Sequence, residues 1–140
     1  MSWHPYDIDD CARRVVSQAL ARDPHGECLN QVFKMRVTCA YGLERFLGEY
    51  IRLKEGGYAD RLKAEVIRDT WTMLCVEILA DTGITLPHDD DLDFGNQAAV
   101  ISSLEKLWEL RTEDPAQAQI VLAVLTSFCE AIIWWKNRLA

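Results

Sequence analysis

The residues best placed for chemistry are the run His88-Asp89-Asp90-Asp91-Leu92-Asp93-Phe94-Gly95. Asp89, Asp91 and Asp93 match positions 1, 3 and 5 of a calcium loop. The match then fails: Gly95 stands at position 7 instead of 6, and position 12 is Val100 where a bidentate glutamate is required. A transition-metal site needs clustered His, Cys and carboxylate ligands. The nearest pair is His25-x-x-Cys28, and no second pair follows it, so it reads as a turn histidine beside a core cysteine. Glu130 is alone in an apolar stretch, where burial could raise its pKa for acid–base work. The ordinary role for it is a solvent-facing or arginine-paired carboxylate. There is no Gly-x-Ser-x-Gly, no phosphate-cradling glycine loop, no His-Glu-x-x-His and no Glu-x-x-His pair for a di-iron bundle. These readings predict no catalytic residues, no metal, no cofactor and no enzyme.

The elements that position these residues are helical. The chain has 140 residues, 49% of them hydrophobic and 26% charged, the composition of one globular domain spanning 1–140. Turn residues at 23–26, 56–57, 83–95 and 112–115 divide it into five helical segments. The first covers about 8–22, with Asp7 as N-cap and a face of Ile8, Cys11, Val15, Ala19 and Leu20. The second covers about 27–55, with Leu29, Val32, Phe33, Val37, Ala40, Tyr41, Leu47, Tyr50 and Ile51 as its apolar positions; Gly42 and Gly48 inside it predict a bend. The third covers about 58–81, its face running from Tyr58 through Leu62 and Trp71 to Leu79. The fourth covers about 94–111, capped by Asp93 or Asn96, with Ala98, Ile101, Leu104, Leu107 and Trp108 as its buried stripe.

The fifth helix, about 115–138, carries the strongest start signal: Asp114 as cap, Pro115 in the first turn and Gln117 at the capping-box position. Its run 120–125 is apolar on all sides, which predicts a central position. Trp134, Trp135, Lys136 and Arg138 at its end imitate a membrane belt, but Gln119, Thr126, Ser127 and Glu130 interrupt the apolar stretch, which favours a core helix over a span. No segment alternates as a half-buried strand does. The predicted fold is all-α, a single-domain bundle of about five helices with helix five central.

Five cysteines, an odd count without dense spacing, suit buried thiols in a reducing cytoplasm better than a disulfide framework. The N-terminus shows no basic region followed by an apolar run, so no secretory signal is expected.

Net charge is −7, which argues against coating nucleic acid. The basic residues of the first two helices are matched by nearby acids, so direct nucleic-acid binding is not expected. Residues 83–115 hold eight acids and two bases, nearly the whole imbalance. The acids are Asp89, Asp90, Asp91, Asp93, Glu105, Glu109, Glu113 and Asp114. Such a cluster either solubilises one loop or steers a basic partner. The favoured reading is a non-enzymatic interaction protein that binds and inhibits a basic, nucleic-acid-handling protein. By size and acidity alone, its class is that of immunity proteins and phage-encoded defence inhibitors. The expected partner-binding residues are Asp89, Asp90, Asp91, Asp93, Phe94, Glu105 and Glu109, with an apolar anchor such as Phe94 or Trp108 if exposed. Two alternatives remain open: a subunit that homodimerises or assembles through helix five, and a small-ligand or metal-binding bundle. No membrane partner is expected.

Overall fold

The computed structural model describes residues 5–80, 82–87 and 96–140. Among them there is no strand, and six α-helices account for most of the chain: α1 (Pro5–Arg22), α2 (Gln31–Thr38), α3 (Leu43–Lys54), α4 (Tyr58–Met73), α5 (Gln97–Glu113) and α6 (Pro115–Leu139). Short 3-10 turns precede and follow α2, and a π-turn, Leu74–Ile78, continues α4. The all-helical class is as expected; the count is not. The long second segment, 27–55, is divided. At Gly42 the backbone reaches φ 113°, ψ 167°, a region open essentially to glycine, and α3 begins afresh at Leu43. A Cβ at Gly42 would also stand 2.8 Å from the Glu44 carboxylate.

Local signals account for the other boundaries. The Asp114 carboxylate accepts from the Gln117 N–H at 3.1 Å and Pro115 opens α6. Asn96, rather than Asp93, caps α5, accepting from the N–H groups of Ala98 and Ala99. Asp7 is not an N-cap, because α1 starts at Pro5 and takes Asp7 into its first turn, where it complements the helix dipole.

Five helices close a ring. α1 packs against α6 and α4, α4 against α3, α3 against α5, and α5 against α6, while short α2 lies on α6, α4 and α3. The buried residues form one cluster, with Ala12, Val15, Val16 and Ala19 from α1, Phe46 and Leu47 from α3, and Val66, Ile67 and Trp71 from α4. The expectation that helix five is central is corrected here. α6 buries one stripe, Val121, Leu125, Phe128, Cys129 and Ile132, and turns Ile120 and Trp134 outward. Its length and composition would suffice to cross a membrane, yet only 28% of its most apolar window is buried. It is a wall of the ring, not its axis.

Faces also differ from expectation within α2. Val32 and Met35 point in, whereas Phe33 and Val37 point out, followed by Tyr41 in the 3-10 turn, itself 58% exposed. Tyr58, expected in the core, is exposed at the first position of α4.

Ion pairs fasten the ring from outside. The Arg14 guanidinium grips Glu77 through two bonds, 3.0 and 2.7 Å, joining α1 to the π-turn, and holds the Glu77 carboxyl below its ordinary value of 4.5. A carboxyl depressed by folding stabilises the protein above its unfolded pKa, and that contribution is lost as pH falls through the folded value. Both side chains are part exposed, so solvent screening limits the effect. Glu77→Gln should cost about 0.5–1 kcal/mol at neutral pH. The gap from wild type in urea midpoints should close as pH drops below 4.5.

One core polar group stands out. Gln31 is 1% exposed, and neither end of its carboxamide has a protein partner among the described residues. Desolvating an amide without a hydrogen bond costs about 1–3 kcal/mol. Gln31→Leu, of similar size, should therefore raise stability by about 1 kcal/mol, read as a higher urea midpoint at unchanged slope.

Candidate functional site

Helix α5 has an inward and an outward face. Val100, Ser103 and Leu107 face inward, which turns Ile101, Glu105 and Trp108 to the opposite side. Trp108, expected in the core, is 54% exposed. The correction has a simple cause: α5 carries two apolar stripes one residue apart, and only the one ending at Leu107 meets α3 and α6.

Outside α5 lies a groove of about 680 Å³. Its α5 side is Ile101, Leu104, Glu105 and Trp108; its α3 side is Tyr41, Glu44, Arg45, Gly48 and Glu49. Gly42 makes this shape by turning the chain sharply before α3, leaving Tyr41 at the rim. A second groove, lined by Phe33, Lys34, Val37, Thr38, Glu49 and Arg52, shares Thr38 and Glu49 with the first. The exposed apolar side chains Phe33, Val37, Tyr41, Ile101 and Trp108 thus lie along one continuous surface. Contiguous exposed apolar area with aromatic members is the composition of interface cores.

The charges of this surface are largely paired within the chain. Arg111 bonds Glu44 at 2.6 Å and lies 5.2 Å over the Trp108 ring. Arg52 bonds Glu49 and holds its carboxyl below the ordinary value. Arg45 covers Tyr41, and Lys136 covers Phe33. Among the described residues Glu105 and Glu109 have no such partner. Glu109 lines another groove, on the adjoining flank of α5, with Thr85, Leu86, Pro87, Lys106, Leu110 and Glu113. Glu105 and Glu109 are thus both exposed but border different grooves, with Trp108 between them in sequence. Asp89, Asp90, Asp91, Asp93 and Phe94 lie outside the described residues. Pro87, where the described chain stops before them, is a wall of the Glu109 groove and receives the Trp71 indole N–H.

The positions weighed for chemistry lie apart. His25 is exposed and Cys28 buried; burial pushes the Cys28 thiol up to about 11, and its backbone N–H is held by Asp23. Glu130 is exposed and bonds Arg36 at 3.0 Å. Among the described residues no three His, Cys, Asp or Glu side chains converge as a metal site would require. None of the five thiols is in a disulfide, and four are buried. Cys39 and Cys129 stand 3.9 Å apart, a proximity that 90 residues of separation concealed.

No protein-family model, curated protein or solved structure matches the chain.

Proposed function

We propose that this chain is a non-enzymatic binding protein whose α5 face docks a basic protein surface and masks it. The observation that supports this most is Trp108: a tryptophan more than half exposed, flanked in sequence by Glu105 and Glu109, two carboxylates that have no ion-pair partner among the described residues. Exposed tryptophan is a common interface anchor, and unneutralised carboxylates around it favour cationic partners. Tyr41 and Ile101 extend the apolar surface. The four acids of 88–95 precede α5 in the chain and add four of the surplus negative charges. A basic partner of this kind is a nucleic-acid-handling protein, and occupation of its cationic surface would inhibit it. On this reading the chain works in the cytoplasm, requires no cofactor and touches neither nucleic acid nor membrane.

Affinity capture from the native cell tests the reading, with wild type, Trp108→Ala and Trp134→Ala as baits. Basic proteins should be retained by wild type and Trp134→Ala and lost from Trp108→Ala. An identical set on all three baits would reject the α5 face.

A further inference from the structure

Helix α6 presents a second surface that shares none of the residues Glu105, Trp108 and Glu109. Along one flank of its buried stripe, Gln117, Ile120, Val124, Ser127, Ala131, Trp134 and Arg138 recur at alternating steps of three and four, with Val124 and Ala131 bordering the core. That spacing is a continuous seam along a helix about 37 Å long. Ile120 and Trp134 are 47% and 48% exposed, and Val124 and Ala131 are half-buried. Glu130, at the edge of the seam, is already paired with Arg36.

We propose that the occupant of this seam is a second copy of the chain, packed antiparallel about a two-fold axis midway between Val124 and Ser127. Two features single out that arrangement. The first is size. The axis sets Ile120 opposite Ala131 of the second copy, Val124 opposite Ser127, and Trp134 opposite Gln117, so each bulky group meets a smaller or flexible one. The second is charge. The N-terminal end of α6 is acidic, with Glu113 and Asp114, and the seam's C-terminal end is basic, with Arg138 stacked 3.9 Å over the Trp134 ring. Antiparallel packing brings each acidic end to a basic end, and the two helix dipoles oppose. A parallel pair would join like ends. A two-fold interface is self-complementary by construction, as this pattern is.

Sedimentation equilibrium on the full chain reads the outcome. Wild type should show twice the 16.0 kDa chain mass at micromolar concentration. Ala131→Glu should weaken the dimer at least tenfold. Arg138→Glu should weaken it too, and adding Glu113→Arg should restore it, a rescue that a folding defect would not give. For register, a chain carrying Ile120→Cys mixed with one carrying Ala131→Cys should give the mixed disulfide on mild oxidation, in preference to the Ile120→Cys homodisulfide. A monomeric wild type, a dimer indifferent to Ala131→Glu, or preferential 120–120 crosslinking overturns the proposal. So does a monomer that floats with phosphatidylcholine vesicles, which would give the seam to a lipid surface. The capture experiment on Trp108 is unaffected by either result.

Discussion

Replacing Trp71 by alanine should remove about 3–5 kcal/mol of folding stability, a large share of the 5–15 kcal/mol typical of a domain. Trp71 is fully buried, its ring centroid 6.0 Å from that of Phe46 on α3. Truncation leaves a cavity between α3 and α4, where the ring of helices is closed, and frees the Pro87 carbonyl that the indole N–H satisfies. Trp71→Phe should cost less, about 1–3 kcal/mol, because packing survives while the carbonyl stays unpaired. Urea unfolding followed by circular dichroism measures both. A Trp71→Ala loss below about 1 kcal/mol would show that the indole is not the keystone of the α3–α4 packing. The same hydrogen bond ties Pro87 to α4, so the variant also loosens the chain just before the acidic run.

Trp108→Ala is the opposite case. The side chain is mostly exposed and its principal neighbour within the chain is the Arg111 guanidinium stacked on its ring, so stability should change by no more than about 0.5 kcal/mol. Binding to the basic partner should fall by about 2 kcal/mol, roughly 30-fold, as for an interface anchor. Calorimetry against the captured partner separates the two quantities. Large destabilisation with unchanged affinity would return Trp108 to the core and remove the anchor.

The contrast between these two tryptophans shows where sequence reasoning succeeds. Both lie on apolar stripes. Trp71 belongs to a helix with one dominant stripe, and its burial follows from periodicity. In α5 the stripe Ile101–Leu104–Trp108 is the more apolar by sequence, yet Val100, Ser103 and Leu107 face inward; the choice belongs to α3 and α6, which local pattern does not encode. The all-apolar run 120–125 misleads for the same reason: it reads as a surrounded helix and is a one-sided wall. Helix starts are readable because caps are local, as Asp114-Pro115 and Asn96 demonstrate. The break at Gly42 is readable only as a bend, since glycine permits the extended positive-φ conformation without requiring it. Charge is readable as a count over 83–115. Its cancellation at Glu44 and Glu49, and its persistence at Glu105 and Glu109, depend on arginines brought from elsewhere in the fold or the next turn.

The most direct test of the binding account is the association rate constant with the captured basic partner as ionic strength is varied, comparing wild type with Glu105→Gln/Glu109→Gln. Steering by unpaired carboxylates requires a wild-type rate that falls steeply with added salt. The double variant should associate more slowly at low salt, with a shallower slope and a nearly unchanged dissociation rate. Equal slopes for the two chains, or a wild-type rate indifferent to salt, would contradict the claim that the anionic α5 face guides the encounter.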